Sequence, residues 1–351
     1  MTINAVILGS TGYVGGELLR LVVGHPDMQL AAAVSGSQAG NAIAKVFPHL
    51  QSAWPDRSFC SMDSWADNIE TGSSAAIFSA APHGASATLV RQALALADTR
   101  GLEAHVVDSS ADFRYAEAAM FEAIYDSAHA APELLKHFFC AVPEHAGEMP
   151  ASHAAHPGCF ATAMLLSIVP LFASSLVADN VYVSAVTGST GSGRSPQSGT
   201  HHPERHSNLY AYKPFNHRHV PEVSALVNAA CGITPVVNFV PHSGPFARGI
   251  YATTQAPLIS GATTDDIRNI FAKYYAGSKF VKVVGGAPKL KDVVASNYAH
   301  IGIEVAADNV VVMCAIDNLV KGAAGGAMQW MNRLWSLPEH SGLTAPPPAW
   351  I

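Results

Sequence analysis

Ile3-Asn4-Ala5-Val6-Ile7-Leu8 leads into Gly9-Ser10-Thr11-Gly12-Tyr13-Val14-Gly15-Gly16 and then into Glu17-Leu18-Leu19-Arg20-Leu21-Val22-Val23. The first run is apolar and of strand length, the second is punctuated by glycine, and the third reads as a helix. A strand that passes through a glycine-rich turn into a helix can hold a pyrophosphate. The unpaired N–H groups and the positive dipole end of the helix meet the anion there. The glycines are spaced G-x-x-G-x-x-G and not G-x-G-x-x-G, so the dinucleotide-binding pattern is met in context but not in spacing. The plain alternative is an ordinary strand-turn-helix connection.

Outward from this stretch the same alternation continues. A second strand, Gln29–Val34, ends in Ser35-Gly36-Ser37. No Asp or Glu stands there to bind a ribose 2′-hydroxyl, and small hydroxyl residues leave room for a 2′-phosphate, so the pattern predicts NADP over NAD. A third strand, Ala75–Ser79, runs into Ala80-Ala81-Pro82-His83-Gly84 and an alanine-rich helix reaching Ala97. A fourth, His105–Val107, ends in Asp108-Ser109-Ser110-Ala111-Asp112-Phe113-Arg114. Strands alternating with helices predict an α/β, Rossmann-type doubly wound parallel sheet, with its site along the strand C-terminal ends. Arg114 is then either a clamp for an anionic substrate group or a surface salt-bridge partner of Asp112.

The chain has 351 residues, more than one core usually serves, which predicts two domains. A net charge of −6 with no basic run argues against nucleic acid or an anionic membrane surface as a partner. Apolar stretches fall short of the roughly 20 residues of a membrane span, and the N-terminus enters a strand without a basic region. The expectation is a cytoplasmic protein. The five cysteines are scattered and form no C-x-x-C, which points to a reducing compartment and no cysteine-based metal site.

The second half carries the chemistry. Pro157-Gly158 punctuates a turn, and Cys159-Phe160-Ala161-Thr162-Ala163-Met164 reads as a helix start. A thiol in a first helical turn is favoured as thiolate. After strand Val181–Val186, the run Thr187-Gly188-Ser189-Thr190-Gly191-Ser192-Gly193 offers exposed backbone amides for an oxyanion, or is a flexible loop. In His217-Arg218-His219-Val220-Pro221-Glu222 a helix starts near Pro221, with His219 and Glu222 three apart on one face, so that the carboxylate can orient the imidazole. Cysteine, histidine and carboxylate are the elements of an activated thiol. The histidines from His201 to His219 lack H-E-x-x-H spacing, and no metal is expected. Strands at Val236–His242, Arg248–Thr254, Tyr298–Val305 and Val310–Ile316, the last two joined by an Asp308-Asn309 turn, predict an α+β second domain with a mostly antiparallel sheet. Asp317–Ala327 begins a last helix.

Gly9–Gly15, Ser110–Arg114, His156–Thr162, His217–Glu222 and Asp317–Gly325 together give the chain a nearly end-to-end resemblance to the N-acetyl-γ-glutamyl-phosphate reductases, relatives of aspartate-semialdehyde dehydrogenase. The resemblance implies NADPH-dependent reduction of an acyl phosphate in arginine biosynthesis, by a homodimer or homotetramer. It implies Cys159 as nucleophile, His219 or else His217 as acid/base, and Glu222 beside them. Arg114, Ser189 and His202 are placed on the substrate. The cofactor is placed on Gly9, Ser10, Thr11, Gly12, Tyr13, Val14, Ser35, Ser37, Ala80, Pro82, Gly191 and Asn318. The expected division is 1–157 with 319–351 as NADP-binding domain, and 158–318 as catalytic, substrate and oligomerisation domain. Two departures stand out: Gly326 replaces a residue that is more often polar, and Thr200–His206 is similar to members acting on aminoadipyl phosphates, including carrier-bound ones in lysine biosynthesis.

Overall fold

The computed structural model describes residues 2–259 and 261–348. The chain divides into two compact units, Met1–His156 with Ala323–Thr344, and Pro157–Gly322 with the tail from Ala345. Among the described residues no helix is long and apolar enough to cross a membrane.

In the first unit, β1 (Ile3–Leu8), β2 (Met28–Val34), β3 (Ser74–Ser79), β4 (Glu103–Asp108), β5 (Phe138–Cys140) and β6 (His153–Ala155) form one sheet. Their order is β2-β1-β3-β4-β6-β5 and every neighbouring pair is parallel. Helices α1 (Tyr13–Val23), α2 (Ile43–Val46), α3 (Ser86–Thr99) and α4 (Ala118–Tyr125) lie along the connections. The C-terminal helix Gly325–Leu334 packs on β4, β6 and α1. The inner strands β1 and β3 are buried nearly end to end, as parallel strands with covered faces must be. The chain leaves β1 towards β2 and returns on its other side at β3, so the switch in strand order lies between β1 and β3. In open parallel sheets that is where a ligand crevice forms.

Helix α1 begins at Tyr13, four residues before the reading that started it at Glu17. Gly15 and Gly16 are helical. A side chain on Gly15 would meet the Ser10 carbonyl carbon at 2.6 Å, and one on Gly16 the Phe47 ring at 2.8 Å. These glycines serve close packing and not the turn. Gly326 has a similar reason: a side chain there would strike the buried His156 imidazole, at 2.7 Å from Nδ1 and closer at Cε1.

In the second unit, β7 (Asn180–Thr187), β8 (Tyr210–Ala211), β9 (Val236–Ser243), β10 (Ile250–Pro257), β11 (Val281–Val283), β12 (Ala299–Ala306) and β13 (Asn309–Ile316) follow the order β11-β12-β13-β10-β7-β9-β8. The β7/β9 and β11/β12 pairs are parallel and the others antiparallel. Helix α5 (Cys159–Ala173) is apolar all round and buried from Phe160 to Phe172. It fits between the sheet and its neighbours, packing on β10, β13, α7 (His219–Cys231) and α8 (Thr264–Tyr274). A short helix, α6 (His202–Arg205), precedes β8. The strands after β9 are interrupted, contrary to the sequence reading, by α8 and by β11. A capping box marks α8: Thr263 Oγ1 accepts from Asp266 N–H, and the Asp266 carboxylate accepts from Thr263 N–H. The last hairpin turns at Ala307-Asp308 and not at Asp308-Asn309, because Ala306 pairs with Asn309 and Ala307 takes φ +49°.

This topology positions chemistry. Helix α5 runs into β7 and α7 runs into β9, two parallel neighbours. The starts of both helices therefore lie at the edge where β7 and β9 end, at Thr187 and Ser243. Cys159 is the first residue of one helix and His219 of the other.

Candidate active site

At the C-terminal edge of the parallel sheet, Gly9 takes φ +67° and lies against the backbone of Ala80 and Ala81, where a side chain would meet Ala81 N at 2.8 Å. Ser10 is buried, and its N–H and hydroxyl both donate to Val34 O, at 3.1 and 2.8 Å. It ties the turn to β2 and does not present its hydroxyl. Gly12 precedes α1 with no side-chain cap, and no acidic residue stands in the first turn, so the positive helix end is open to an anion. Thr11 and Val14 are half-buried and Tyr13 is exposed beside it. Ser35 is buried, its hydroxyl accepting from Gln38 N–H at 3.2 Å, while Ser37 is exposed. Ala80 N–H donates to Leu8 O at 2.9 Å, and Pro82 is exposed at the next strand end. These residues flank the β1/β3 switch, and a bare helix end with glycine-lined approach fits a dinucleotide.

Arg114 is not a surface residue. It is 7% exposed, and its guanidinium donates to His156 O at 3.1 Å and Ser109 O at 3.0 Å. The Asp112 carboxylate accepts from the N–H groups of Gly84 and Ala87, at the start of α3.

In the second unit a cysteine, a histidine and a carboxylate converge. Glu222, 1% exposed in the first turn of α7, accepts the Gly158 N–H at 2.7 Å. This charge-assisted bond joins the start of α7 to the residue that opens the cysteine helix. A side chain on Gly158 would meet Cε1 of His219 at 2.6 Å and Nε2 closer still. The imidazole thus rests on the backbone beside Cys159. On its other side Cys159 faces Gly322, where a side chain would stand 2.8 Å from the Cys159 Cβ.

Gly322 lies in a π-helical segment, Val320–Ala324, a rare conformation frequent at functional sites. Its N–H donates to Asp317 O at 2.9 Å. The buried Asp317 carboxylate holds the segment's entry: it accepts the N–H groups of Leu319 and Val320 and that of Ala295, and pairs with Arg248 at 3.0 and 3.1 Å.

His217 does different work from His219. Its Nδ1 accepts the His219 N–H at 3.2 Å, so it caps α7 in the tautomer that carries the proton on Nε2. Its ring packs among Phe160, Phe239, Tyr212 and His219. Burial, with Arg218 and Lys213 nearby, holds its pKa down at about 4.

The loop after β7 corrects the expectation of exposed amides. The N–H groups of Gly188, Ser189 and Thr190 donate to Gly249, Phe246 and Ala247, and those of Gly191 and Gly193 close turns within the loop. Asn318 fastens it: Oδ1 accepts Gly249 N–H at 2.7 Å and Nδ2 donates to Thr190 Oγ1 at 3.0 Å. His202 is exposed on α6 with its ring against His206. Sequence reading missed the contact roles of Gly158 and Gly322, the Asp317 hub and the buried Arg205. Only the Asp317-Asn318 pair carried a signal, an acid and an amide just before a helix.

A doubly wound parallel unit, joined to a mixed-sheet unit with a cysteine at a helix start, defines a semialdehyde dehydrogenase. Residues 4–155 match the semialdehyde dehydrogenase NAD binding domain, and residues 159–318 match the semialdehyde dehydrogenase dimerisation domain. The aspartate semialdehyde dehydrogenase of Candida albicans, solved with NADP, superposes with a TM-score of 0.68 at 14% identity over 96% of this chain and 99% of that one, a likeness of fold. Within the class, the chain belongs to the N-acetyl-γ-glutamyl-phosphate reductase family. The reductase of that name from Heliobacterium modesticaldum is 39% identical over 98% of both chains. A protein of Ignicoccus hospitalis named putative LysW-L-2-aminoadipate/LysW-L-glutamate phosphate reductase is 36% identical, also over 98% of both.

Proposed function

We propose that this chain reduces N-acetyl-γ-glutamyl phosphate to N-acetylglutamate 5-semialdehyde and phosphate, with NADPH, in arginine biosynthesis. The observation that carries this reading is Cys159 set between Gly158 and Gly322, with the His219 imidazole lying on Gly158.

The helix start favours the Cys159 thiolate, which attacks the acyl carbonyl carbon. The first-turn N–H groups of α5 lack intrahelical acceptors and hold the oxyanion; the C–O bond then breaks and phosphate leaves. His219 takes the thiol proton before the attack and returns it to sulfur as the C–S bond later breaks. His217 stays neutral and fixes His219 through the α7 cap. Glu222 holds the Gly158 amide and so the register of the two helix starts. NADPH, when bound, supplies the hydride that takes the thioester to the aldehyde level. Gly9, Thr11, Gly12, Tyr13 and Val14 would hold its pyrophosphate, with Ser10 bracing the turn against β2, and Ser35 with Ser37 its 2′-phosphate end, with Ala80 and Pro82 along the crevice. A thioester suits this step because sulfur leaves the carbonyl electrophilic, whereas a carboxylate accepts hydride poorly.

The second reading, an aminoadipyl phosphate, rests on the Thr200–His206 stretch and on the relative named for that substrate. The reverse reaction separates them. NADP⁺, phosphate and N-acetylglutamate 5-semialdehyde should yield NADPH; formation only with the aminoadipate analogue favours the second reading, and formation with neither removes both. The protein is read as cytoplasmic and as a homodimer or homotetramer. The sheet face opposite α5, carrying Tyr182, Ser184, Thr253 and Met313, is the proposed contact.

A further inference from the structure

Arg205 ends α6 and is 8% exposed. One terminal nitrogen donates to Ser243 Oγ at 2.5 Å and the other to Phe246 O at 3.4 Å. Nε is buried without a hydrogen-bond partner, and among the described residues no carboxylate pairs with the guanidinium. A guanidinium has five N–H donors. A cation withdrawn from water with neutral partners for only some of them is unfavourable, and buried charges are ordinarily paired.

Its place is equally specific. Ser243 ends β9 opposite Thr187, the end of β7, at the edge where α5 and α7 begin. The Tyr212 phenol feels both Cys159 and Arg205. Its pKa is pushed up by burial first, then by Cys159 and Tyr210, against the pull of Arg218 and Arg205.

We propose that Arg205 receives an oxyanion of the substrate, either the carboxylate of the acyl chain or the phosphate, and that the missing counterion of this buried cation arrives with the ligand. The proposal rests on the acyl-phosphate reading above and adds the residue that would recognise the substrate's charge.

The test uses the full chain with NADP⁺ and the variants Arg205→Gln and Arg205→Lys. Initial rates of the reverse reaction are measured with phosphate and semialdehyde varied in turn. Calorimetric titrations with inorganic phosphate and with N-acetyl-L-glutamate accompany them. Arg205→Gln should raise one KM about tenfold or more, as expected when a charge-assisted hydrogen bond is lost, and Arg205→Lys should recover part of it. A change in the phosphate arm assigns the phosphate; a change in the semialdehyde arm assigns the carboxylate. Unchanged KM values and unchanged titrations, with only a lower melting midpoint, make Arg205 a structural tie and overturn the proposal. If the wild type turns over neither substrate, the acyl-phosphate reading fails, while loss of phosphate or N-acetyl-L-glutamate binding in Arg205→Gln still supports an anion site. Should Arg205→Gln not fold, Arg205→Lys is read in the same arms: intact KM values and intact binding of both anions count against the proposal unless the Arg205→Ala variant, read likewise, loses one of them.

Discussion

The His219 imidazole occupies the space that a side chain on Gly158 would need: a methyl group there would meet Cε1 at 2.6 Å and Nε2 closer still. The residue before Cys159 is glycine because the His219 imidazole lies on it. Gly158→Ala should therefore push the imidazole away from Cys159. A displacement of about 1 Å can cost on the order of 100-fold in turnover. Steady-state assays should show kcat falling by that order with NADP⁺ affinity intact; a variant with wild-type kcat contradicts the placement.

Gly322 faces Cys159 from the other side. In Gly322→Ala the new methyl group would stand 2.8 Å from the Cys159 Cβ and 3.1 Å from its Cα, so either the π-helical segment or the cysteine must move. Thiol alkylation by iodoacetamide reads this directly. The rate at Cys159 should change in the variant while the other cysteines label as before, and an unchanged rate would show that the contact yields freely.

Glu222 is buried and accepts the Gly158 N–H at 2.7 Å. Glu222→Ala leaves that buried amide unsatisfied, a cost of about 1–3 kcal/mol. Glu222→Gln keeps an acceptor and should cost less. Urea unfolding should rank wild type, Gln and Ala in that order of stability; equal midpoints for all three would deny Glu222 this role.

His217 gives a pH signature. Its pKa falls from an ordinary 6.5 to about 4 in the folded chain. Above pH 6.5 the imidazole is neutral in both states and contributes nothing to the pH dependence. Between about pH 6.5 and pH 4 the unfolded chain takes up a proton that the folded chain refuses, so stability falls as pH falls and levels off below that window. In His217→Asn the decline measured from pH 7 to pH 4.5 should be shallower. Parallel curves for wild type and variant would mean that the imidazole is not held neutral by its surroundings.

The parallel unit was legible because its signals are local: apolar runs of strand length, glycine at the first turn, and helices of ordinary spacing. The extent of β1 and the start of the cysteine helix follow from those signals. What escaped depends on partners distant in sequence. Gly15 and Gly16 look like turn glycines until Ser10 and Phe47 are seen against them. The amides of Gly188, Ser189 and Thr190 look open until residues 246–249 pair with them. The sequence reading misses α8 although both of its signals are local: the Thr263/Asp266 capping box, and the apolar pair Ile267 and Phe271, four apart on one face, among charged neighbours. Cys159, His219 and Glu222 were picked out by residue type and spacing, but the direction in which Glu222 acts, on the Gly158 backbone, required coordinates.

The central claim is an acyl thioester on Cys159. It is tested most directly by mixing the full chain with NADP⁺ and N-acetylglutamate 5-semialdehyde in the absence of phosphate. The oxidised acyl group then has no acceptor and stays on sulfur. The account predicts a rapid burst of NADPH absorbance equal to one equivalent per active site, its persistence as a plateau until phosphate is added, and its loss in Cys159→Ser. A burst of the same size in Cys159→Ser, or steady turnover in the wild type that needs no phosphate and shows no burst, would contradict it.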